Sequence, residues 1–182
     1  KVYRRRDEDA ITKVLRNDVF TNPNTAFPVN AVTIPDDDSL SDAVAADPFG
    51  IGFSHFSEIA SSRALSVRGS CGILASPTTF NIKSEEYPFS HRLYAFVPDG
   101  ALPHVAQGFM DYVVTDAAQN AVERAGFISG TVETATADDQ GFRFANAILA
   151  SQDEAGLRAL LDMTSDLIDA ERLSTTLRFE ES

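Results

Sequence analysis

Residues 87–126 contain the pattern that most constrains the fold of this chain. Tyr87-Pro88 stops any preceding helix, because the residue before a proline is pushed out of the α region. The run at 92–97 that follows is apolar and β-prone, and Pro98-Asp99-Gly100 after it is a strong turn signal. The pattern therefore predicts a strand that ends in a tight turn.

Two helices are predicted after this turn. Thr115-Asp116 has the chemistry of an N-cap and divides the apolar pattern into two helices, and Gly126 fits the C′ position that ends the second one. Strand, turn, two helices and a glycine together predict one α/β unit. The residues that recur near helical spacing on the apolar face are Val105, Phe109, Met110, Val113, Val114, Ala117, Ala121 and Val122.

Short segments of alternating type precede this unit. Asp36, Asp37 and Asp38 stand before an apolar run, where the helix dipole favours carboxylates. Strands and helices that alternate at such close spacing favour a largely open α/β sheet. Strands are predicted at residues 2–4, 31–34, 51–56 and 65–67, and helices or helical turns at 11–20, 40–46, 57–63 and 78–84, with a loop at 69–76.

Several of these residues carry a resemblance to a known family. The chain resembles the latter half of periplasmic phosphate-binding proteins, the solute-capturing components of ABC importers. The segment DPFGIGFSHFSEI at 47–59 resembles a strand of the same family, and the resemblance covers roughly residues 1–130. It implies a type II periplasmic-binding-protein-like lobe, with a mixed open sheet flanked by helices. The residues that match the family's crossover strand, helix pair and final turn are Tyr87, Pro88, Arg92, Leu93, Tyr94, Val97, Ala125, Gly126 and Phe127.

The resemblance also implies a binding site at the start of a helix. The family uses an Arg-x-Asp-x-Ser-Gly-Thr segment there, because first-turn amides and the helix dipole favour an anion and arginine adds a forked donor. Its counterpart here places Arg6 and Thr12 at the Arg and Thr positions, with Ala10 and Ile11 in place of Ser and Gly. Ser39, at the start of the second helix, is a further candidate ligand.

The resemblance therefore implies a phosphate- or oxyanion-binding protein of the bacterial cell envelope, located in the periplasm and associated with ABC-type phosphate uptake or sensing. Departures from the motif indicate an alternative. Ala10 and Ile11 remove a hydroxyl donor, which costs roughly 1.5–3 kcal/mol, and Glu8 and Asp9 repel a dianion. The alternative is a degenerate binding fold that serves as an envelope scaffold or protein-interaction module without a small ligand.

The composition changes after Gly130. Residues 131–140, TVETATADDQ, are small, polar and acidic, which predicts a linker between a domain at 1–130 and an extension at 141–182. The extension is predicted to be a β-α-β piece, with strands at 142–149 and 173–179 and a helix at 154–168. Its end, RLSTTLRFEES, resembles the first strand of the peptidoglycan-binding domain of outer-membrane protein A.

The remaining expectations concern partners. The resemblance implies that a first lobe precedes Lys1 and that the chain leads into a further envelope domain, so an ABC permease and peptidoglycan are expected partners through those regions. Exposed half-domain surfaces predict self-association. A net charge of −12 argues against a nucleic-acid partner, since phosphate contacts need clustered Lys and Arg.

Catalysis and cofactors are not expected. Cys71 is the single cysteine, which excludes an internal disulfide and favours a small core residue. His55, His91 and His104 are far apart in sequence, which argues against a metal site. Without a nucleophile or an acid–base pair, we expect a protein that is not an enzyme and holds no cofactor.

Overall fold

A computed structural model describes residues 1–20, 22, 24–69, 72, 74–151 and 153–175 of the chain. These residues form a mixed α/β protein with seven α-helices and small sheets, which confirms the predicted α/β class. Two compact units are present: Lys1–Ala64 with Ala121–Phe127, and Leu65–Asn120 with Ile128–Ser182. Among the described helices, none is long and apolar enough to cross a membrane.

The first unit is built on a three-stranded parallel sheet. Its strands are ordered β2-β1-β3, with Tyr3 of the central strand opposite Val32 on one side and Gly52 on the other. The predicted strands at 2–4, 31–34 and 51–56 are therefore present, the last two in shorter form. The elements are β1 (Val2–Arg4), α1 (Ala10–Val19), β2 (Val32–Thr33), α2 (Asp37–Ala45) and β3 (Ile51–Gly52), with a 3₁₀ turn at Phe56–Glu58.

Packing of α2 on the sheet explains two residues of the first unit. Leu40 is only 2% exposed, and a Cβ added at Gly52 would lie 2.7 Å from its Cδ2. The strand can therefore approach α2 this closely only with glycine at position 52. The Asp36 carboxylate accepts a hydrogen bond of 2.7 Å from the Ser39 amide, which makes Asp36 the N-cap of the helix that follows the acidic run.

The second unit contains two small antiparallel sheets and most of the helices. Gly126, at a φ of +81°, ends α5 as predicted, and Thr115 caps that helix through a 3.4 Å bond from the Ala118 amide. The elements are β4 (Val67–Arg68), β5 (Leu74–Ala75), α3 (Thr79–Lys83), α4 (His104–Val113), α5 (Asp116–Arg124), β6 (Thr134–Ala135), α6 (Gly141–Ala150), α7 (Glu154–Asp166) and β7 (Arg172–Leu173), with the division between the units falling inside α5.

The segment predicted as a linker is packed into the second unit. β6 pairs with β7, and Ala135 and Ala137 are buried. Lys83, whose side chain is 8% exposed, reaches across from α3 to the Glu133 carboxylate at 2.6 Å and the Thr131 carbonyl at 2.8 Å. Residues 131–140 therefore differ from the open linker that their composition predicted.

Two strand predictions in the second unit were wrong. The run at 142–149 is the helix α6, because a short apolar run does not distinguish a buried strand from a helix and its alanines favour helix. The run at 92–97 lies outside any helix or strand, and all of its residues are exposed. Of the strand predicted at 173–179, Leu173 lies in β7, and residues 176–182 lie outside the described residues, as does Cys71.

Removing the side chain that packs α2 should unfold the first unit more easily. We expect Leu40→Ala to lower the free energy of unfolding by about 2–5 kcal/mol, because it leaves a cavity that the sheet cannot fill. Leu149→Ala is the control, since Leu149 is exposed and its loss should change that free energy by less than about 0.5 kcal/mol. Urea unfolding followed by circular dichroism measures both, and equal effects would contradict the assigned core.

Candidate functional site

The candidate site lies at the carboxyl edge of the parallel sheet. Since the three strands run in the same direction, the residues that follow them meet at one edge. From β1 the chain first reaches β2 on one side, and then β3 on the other side. Open α/β sheets bind ligands where the strand order reverses in this way, outside the carboxyl ends of the strands. We call this edge, formed by residues 5–9, 36–39 and 53–58, the switch edge.

Part of the first turn of α1 is engaged by the protein. The Thr12 amide donates to the Asp9 carbonyl at 3.1 Å, and the Lys13 amide donates to the same carbonyl at 3.2 Å. Thr12 is 2% exposed, so its hydroxyl faces the interior of the first unit. Ala10 is exposed and Ile11 is half-buried. The structure thus gathers these predicted residues at the start of α1 but places Thr12 against protein.

A carboxylate of the chain itself lies between two arginines beside α1. Asp9 accepts a 3.1 Å hydrogen bond from Nε of Arg5, and its other oxygen is 3.3 Å from Nη2 of Arg6. The backbone amide of Arg6 also donates to Asp9, at 3.2 Å. Desolvation raises the pKa of Asp9, but the hydrogen bonds from Arg6 and Arg5 outweigh it and hold that pKa below the ordinary value. Asp9 therefore fills the place that an anion would take between these arginines.

The predicted ligand Arg6 is directed at acidic residues. Besides Asp9, its guanidinium lies 3.6 Å from Glu8, and half of the side chain is exposed. Ser39 lies at the start of α2, on the same edge, and its amide is held by the Asp36 carboxylate. Arg6 and Ser39 thus share the switch edge, and each already has a partner within it.

A hydrogen bond between Asp37 and His55 extends the cluster towards β3. Asp37 lies 2.8 Å from Nδ1 of His55 and 3.7 Å from Nη1 of Arg5. The side chains of Arg5 and Asp37 are both largely buried. Asp9, Arg5, Asp37 and His55 consequently form a row of neighbouring polar side chains along the switch edge, and we call these four residues the charge row.

The sequence pattern did not indicate Arg5 or His55. Arg5 directly follows β1, Asp37 opens α2 just after β2, and His55 comes three residues after β3. The signal that unites them is their position after parallel strands of one sheet. That signal becomes visible only when the strand order is known, since three distant histidines and a run of arginines have no common spacing.

The rest of the switch edge is acidic. Glu58 has a raised pKa, because it shares a hydrogen bond with Asp38, is partly desolvated and is repelled by the same carboxylate. Asp7 is paired with Arg16 at 2.9 Å, and this bond is the main reason that its pKa is lowered. Among the described residues, no group of three or more His, Cys, Asp or Glu side chains has the arrangement to hold a metal ion.

An open cavity of about 280 Å³ in the second unit is a weaker candidate for a binding site than the switch edge. It is lined by Val114, Asp116, Gln119, Gly130 and Thr131. The Gln119 amide is already used, since it donates to the Val113 carbonyl at 2.7 Å and accepts from the Gly130 amide at 2.6 Å. The switch edge, with its two arginines, therefore remains the candidate site.

Comparison with known proteins finds no relative of this chain. No protein-family model, no curated protein sequence and no solved structure matches this chain.

Acid should destabilise the first unit through the switch edge. The pKa values of Asp7, Asp9 and Asp36 are lowered from an ordinary value of 3.8. The unfolded chain therefore takes up protons at a higher pH than the folded unit does. The stabilisation is complete above the unfolded value and is lost as pH falls through the folded values.

Urea midpoints measured from about pH 6 to about pH 2 should therefore fall steadily at the acid end. Asp9→Asn should make this dependence shallower, because the arginines then lose their shared carboxylate. Asp162→Asn, an exposed substitution on α7, is the matched control and should leave the slope unchanged. Identical pH profiles for the two variants would contradict the role of Asp9.

Proposed function

We propose that this chain belongs to an oxyanion-binding, solute-binding-type protein of the bacterial cell envelope, with phosphate or a related tetrahedral anion as its ligand. The proposal includes a type II periplasmic-binding-protein-like fold, a periplasmic location and a role in ABC-type uptake or sensing. Its partners would be an ABC permease and, through a further domain, peptidoglycan. The sequence resemblance supports each of these points.

One observation carries the proposal: two consecutive arginines after the central strand already hold an anionic group. Asp9 receives bonds from the side chains of Arg5 and Arg6 and from the Arg6 amide. A carboxylate held by guanidinium groups and a backbone amide stands in chemically for an oxyanion, since both present charged acceptor oxygens to the same donors. The switch edge therefore has the donor set that an oxyanion requires.

The location of these donors supports the same function. They lie next to the start of α1, where the helix dipole adds positive potential for an anion. They also lie beside the reversal of strand order, where open α/β sheets place their ligands. An oxyanion would bind here by displacing the Asp9 carboxylate from Arg5 and Arg6.

A second function is favoured by the internal pairing of the two arginines. Asp9 pairs with both Arg5 and Arg6, and Glu8 lies near Arg6. Asp37 lies 3.7 Å from Arg5, and Thr12 is buried. A fold in which an inherited anion site is filled by its own carboxylate needs no small ligand. Under this alternative the chain serves as an envelope scaffold or protein-interaction module.

Calorimetric titration with phosphate, sulfate and molybdate distinguishes the two functions. We expect the wild-type chain to bind one oxyanion, with a stoichiometry near one. Arg6→Ala should weaken binding by about tenfold or more, because a charge-assisted donor is lost. Asp9→Asn should strengthen it, since asparagine has nearly the shape of aspartate but carries no charge with which to compete for the arginines.

Arg158→Ala is the matched control, because this arginine on α7 pairs with Glu154 at 2.7 Å and should not affect binding. Binding by Asp9→Asn alone, with a silent wild type, would support the scaffold function with an inherited but blocked site. Silence of both proteins towards all three anions would contradict the oxyanion proposal.

A further inference from the structure

The pair Asp99-Gly100 lies in an exposed bend of the second unit. Every residue from 91 to 100 is exposed. Among the described residues, no hydrogen bond or ion pair engages the Asp99 carboxylate or the Gly100 amide. Gly100 has a φ of +113°, and a Cβ added there would meet no atom within 4 Å. The side chain of Asp99 can therefore approach the amide that follows it without breaking any of these contacts.

An aspartate that precedes a glycine can react with its own backbone. The amide nitrogen of the following residue, after giving its proton to water, attacks Cγ of the neutral carboxylic acid. A bond forms between that nitrogen and Cγ, the Cγ–OH bond breaks, and one water molecule leaves, which gives a five-membered succinimide ring. Glycine favours this closure because it has no Cβ and its backbone adopts more conformations than that of other residues. The step needs no oxidant, metal or second substrate.

The sequence contains this reactive pair once. Asp99 is the only aspartate that is followed by glycine. Asparagine reacts in the same way with loss of ammonia, but no asparagine of the chain precedes a glycine. The sequence therefore points to Asp99 as the aspartate or asparagine with the least hindered neighbour.

The fold restrains the other candidates. Asn24 and Asn30 lie outside the helices, but the amides that follow them donate to the carbonyls of Asn22 and Pro28, at 2.9 Å and 2.8 Å. Asn22 itself precedes a proline, which has no N–H. The remaining asparagines lie within helices, where the backbone is fixed: Asn17, Asn81, Asn120 and Asn146. Sequence and structure thus single out the same site.

We infer that Asp99 is a site of spontaneous isoaspartate formation in the folded protein. Water that opens the succinimide at Cγ restores aspartate. Water that opens it at the main-chain carbonyl breaks the bond from that carbon to the Gly100 nitrogen, so the chain then runs through Cγ. The water lost in the first step is regained in the second, and no group is oxidised or reduced. This inference does not depend on the proposed oxyanion site.

The modification changes the main chain close to a helix. Isoaspartate adds one carbon to the backbone and leaves a free α-carboxylate in place of the side-chain carboxylate. Only residues 101–103 separate this position from α4. The modified chain therefore differs from the original in the path that leads into α4, although the two have the same mass and the same formal charge.

Peptide mapping of the intact chain tests the site. The folded protein is incubated in mildly acidic buffer below its unfolding temperature and then digested. Chromatography separates the two isomers of the peptide that contains residue 99, and electron-transfer fragmentation identifies isoaspartate. We expect isoaspartate to accumulate several-fold faster at Asp99 than at any other aspartate. Asp99→Glu should abolish the product, because the corresponding ring has six members and closes far more slowly.

Ser39→Gly is the matched control, because it separates the effect of the fold from that of the sequence. It gives Asp38 a glycine neighbour as well, and Asp38 is exposed as Asp99 is. The amide of residue 39 is held by the Asp36 carboxylate at 2.7 Å, in the first turn of α2. In the folded variant, Asp38 should therefore react several-fold more slowly than Asp99. In urea the two rates should become similar, since neither amide is then held.

Two results would overturn the inference. One is an Asp38 that reacts as fast as Asp99 in the folded Ser39→Gly variant, since the fold would then select nothing. The other is an Asp99 that reacts several-fold more slowly in the folded wild type than in urea, since the bend would then protect it. Circular dichroism shows whether Ser39→Gly folds, and the comparison of folded and unfolded wild type decides the question without that variant.

Discussion

The pairing of Asp9 with Arg5 and Arg6 is the interaction on which the organisation of the first unit depends. Three consecutive arginines lie at the end of the central strand and just after it, and such a run of cations at a sheet edge would repel itself without counter-charges. Asp9 forms ion pairs with Arg5 and Arg6. Asp7 pairs with Arg4, and Asp37 lies close to Arg5. Every arginine of the run therefore has a carboxylate from the segment that follows β1 or β2. Asp9 is also the N-cap residue of α1, and its carboxylate bonds the arginines rather than capping the helix.

The same pairing links the sheet to the candidate site. Arg5 is largely buried and touches carboxylates from both helix starts, so it ties α1 and α2 to the end of β1. Breaking a pair of this kind leaves an uncompensated charge in a partly desolvated place, which costs more than the pair contributes. His55 extends the charge row to the end of β3. The switch edge thus stabilises the first unit whether or not it binds a ligand.

The sequence predicted the elements whose ends are marked by strong local chemistry. The start of α2 follows from Asp36, the division before α5 from Thr115, and its end from Gly126, because a cap or a left-handed glycine acts within a few residues. It failed where tertiary context decides, as at 142–149, whose apolar run fits a strand or a helix, and at 92–97, whose β-prone residues have no strand beside them. Only part of the candidate site was predicted, because local chemistry is visible in the sequence and the order of the strands is not. Arg6 was found from a local motif, whereas Arg5, Asp37 and His55 meet only through the order of the strands.

Competition by Asp9 also bears on which anions the switch edge would accept. A carboxylate tethered three residues from Arg6 acts at an effective concentration that a free ligand must exceed, in the millimolar range or above for a short tether. A monocarboxylate offers the arginines nothing that Asp9 lacks, so it would not displace it. A tetrahedral dianion presents more charge and more acceptor oxygens than a carboxylate to the same guanidinium groups and Arg6 amide. The internal carboxylate would therefore act as a filter that favours phosphate-like dianions over organic monoacids. The acidic residues around it, Glu8 and Asp38 among them, would limit the affinity of even those.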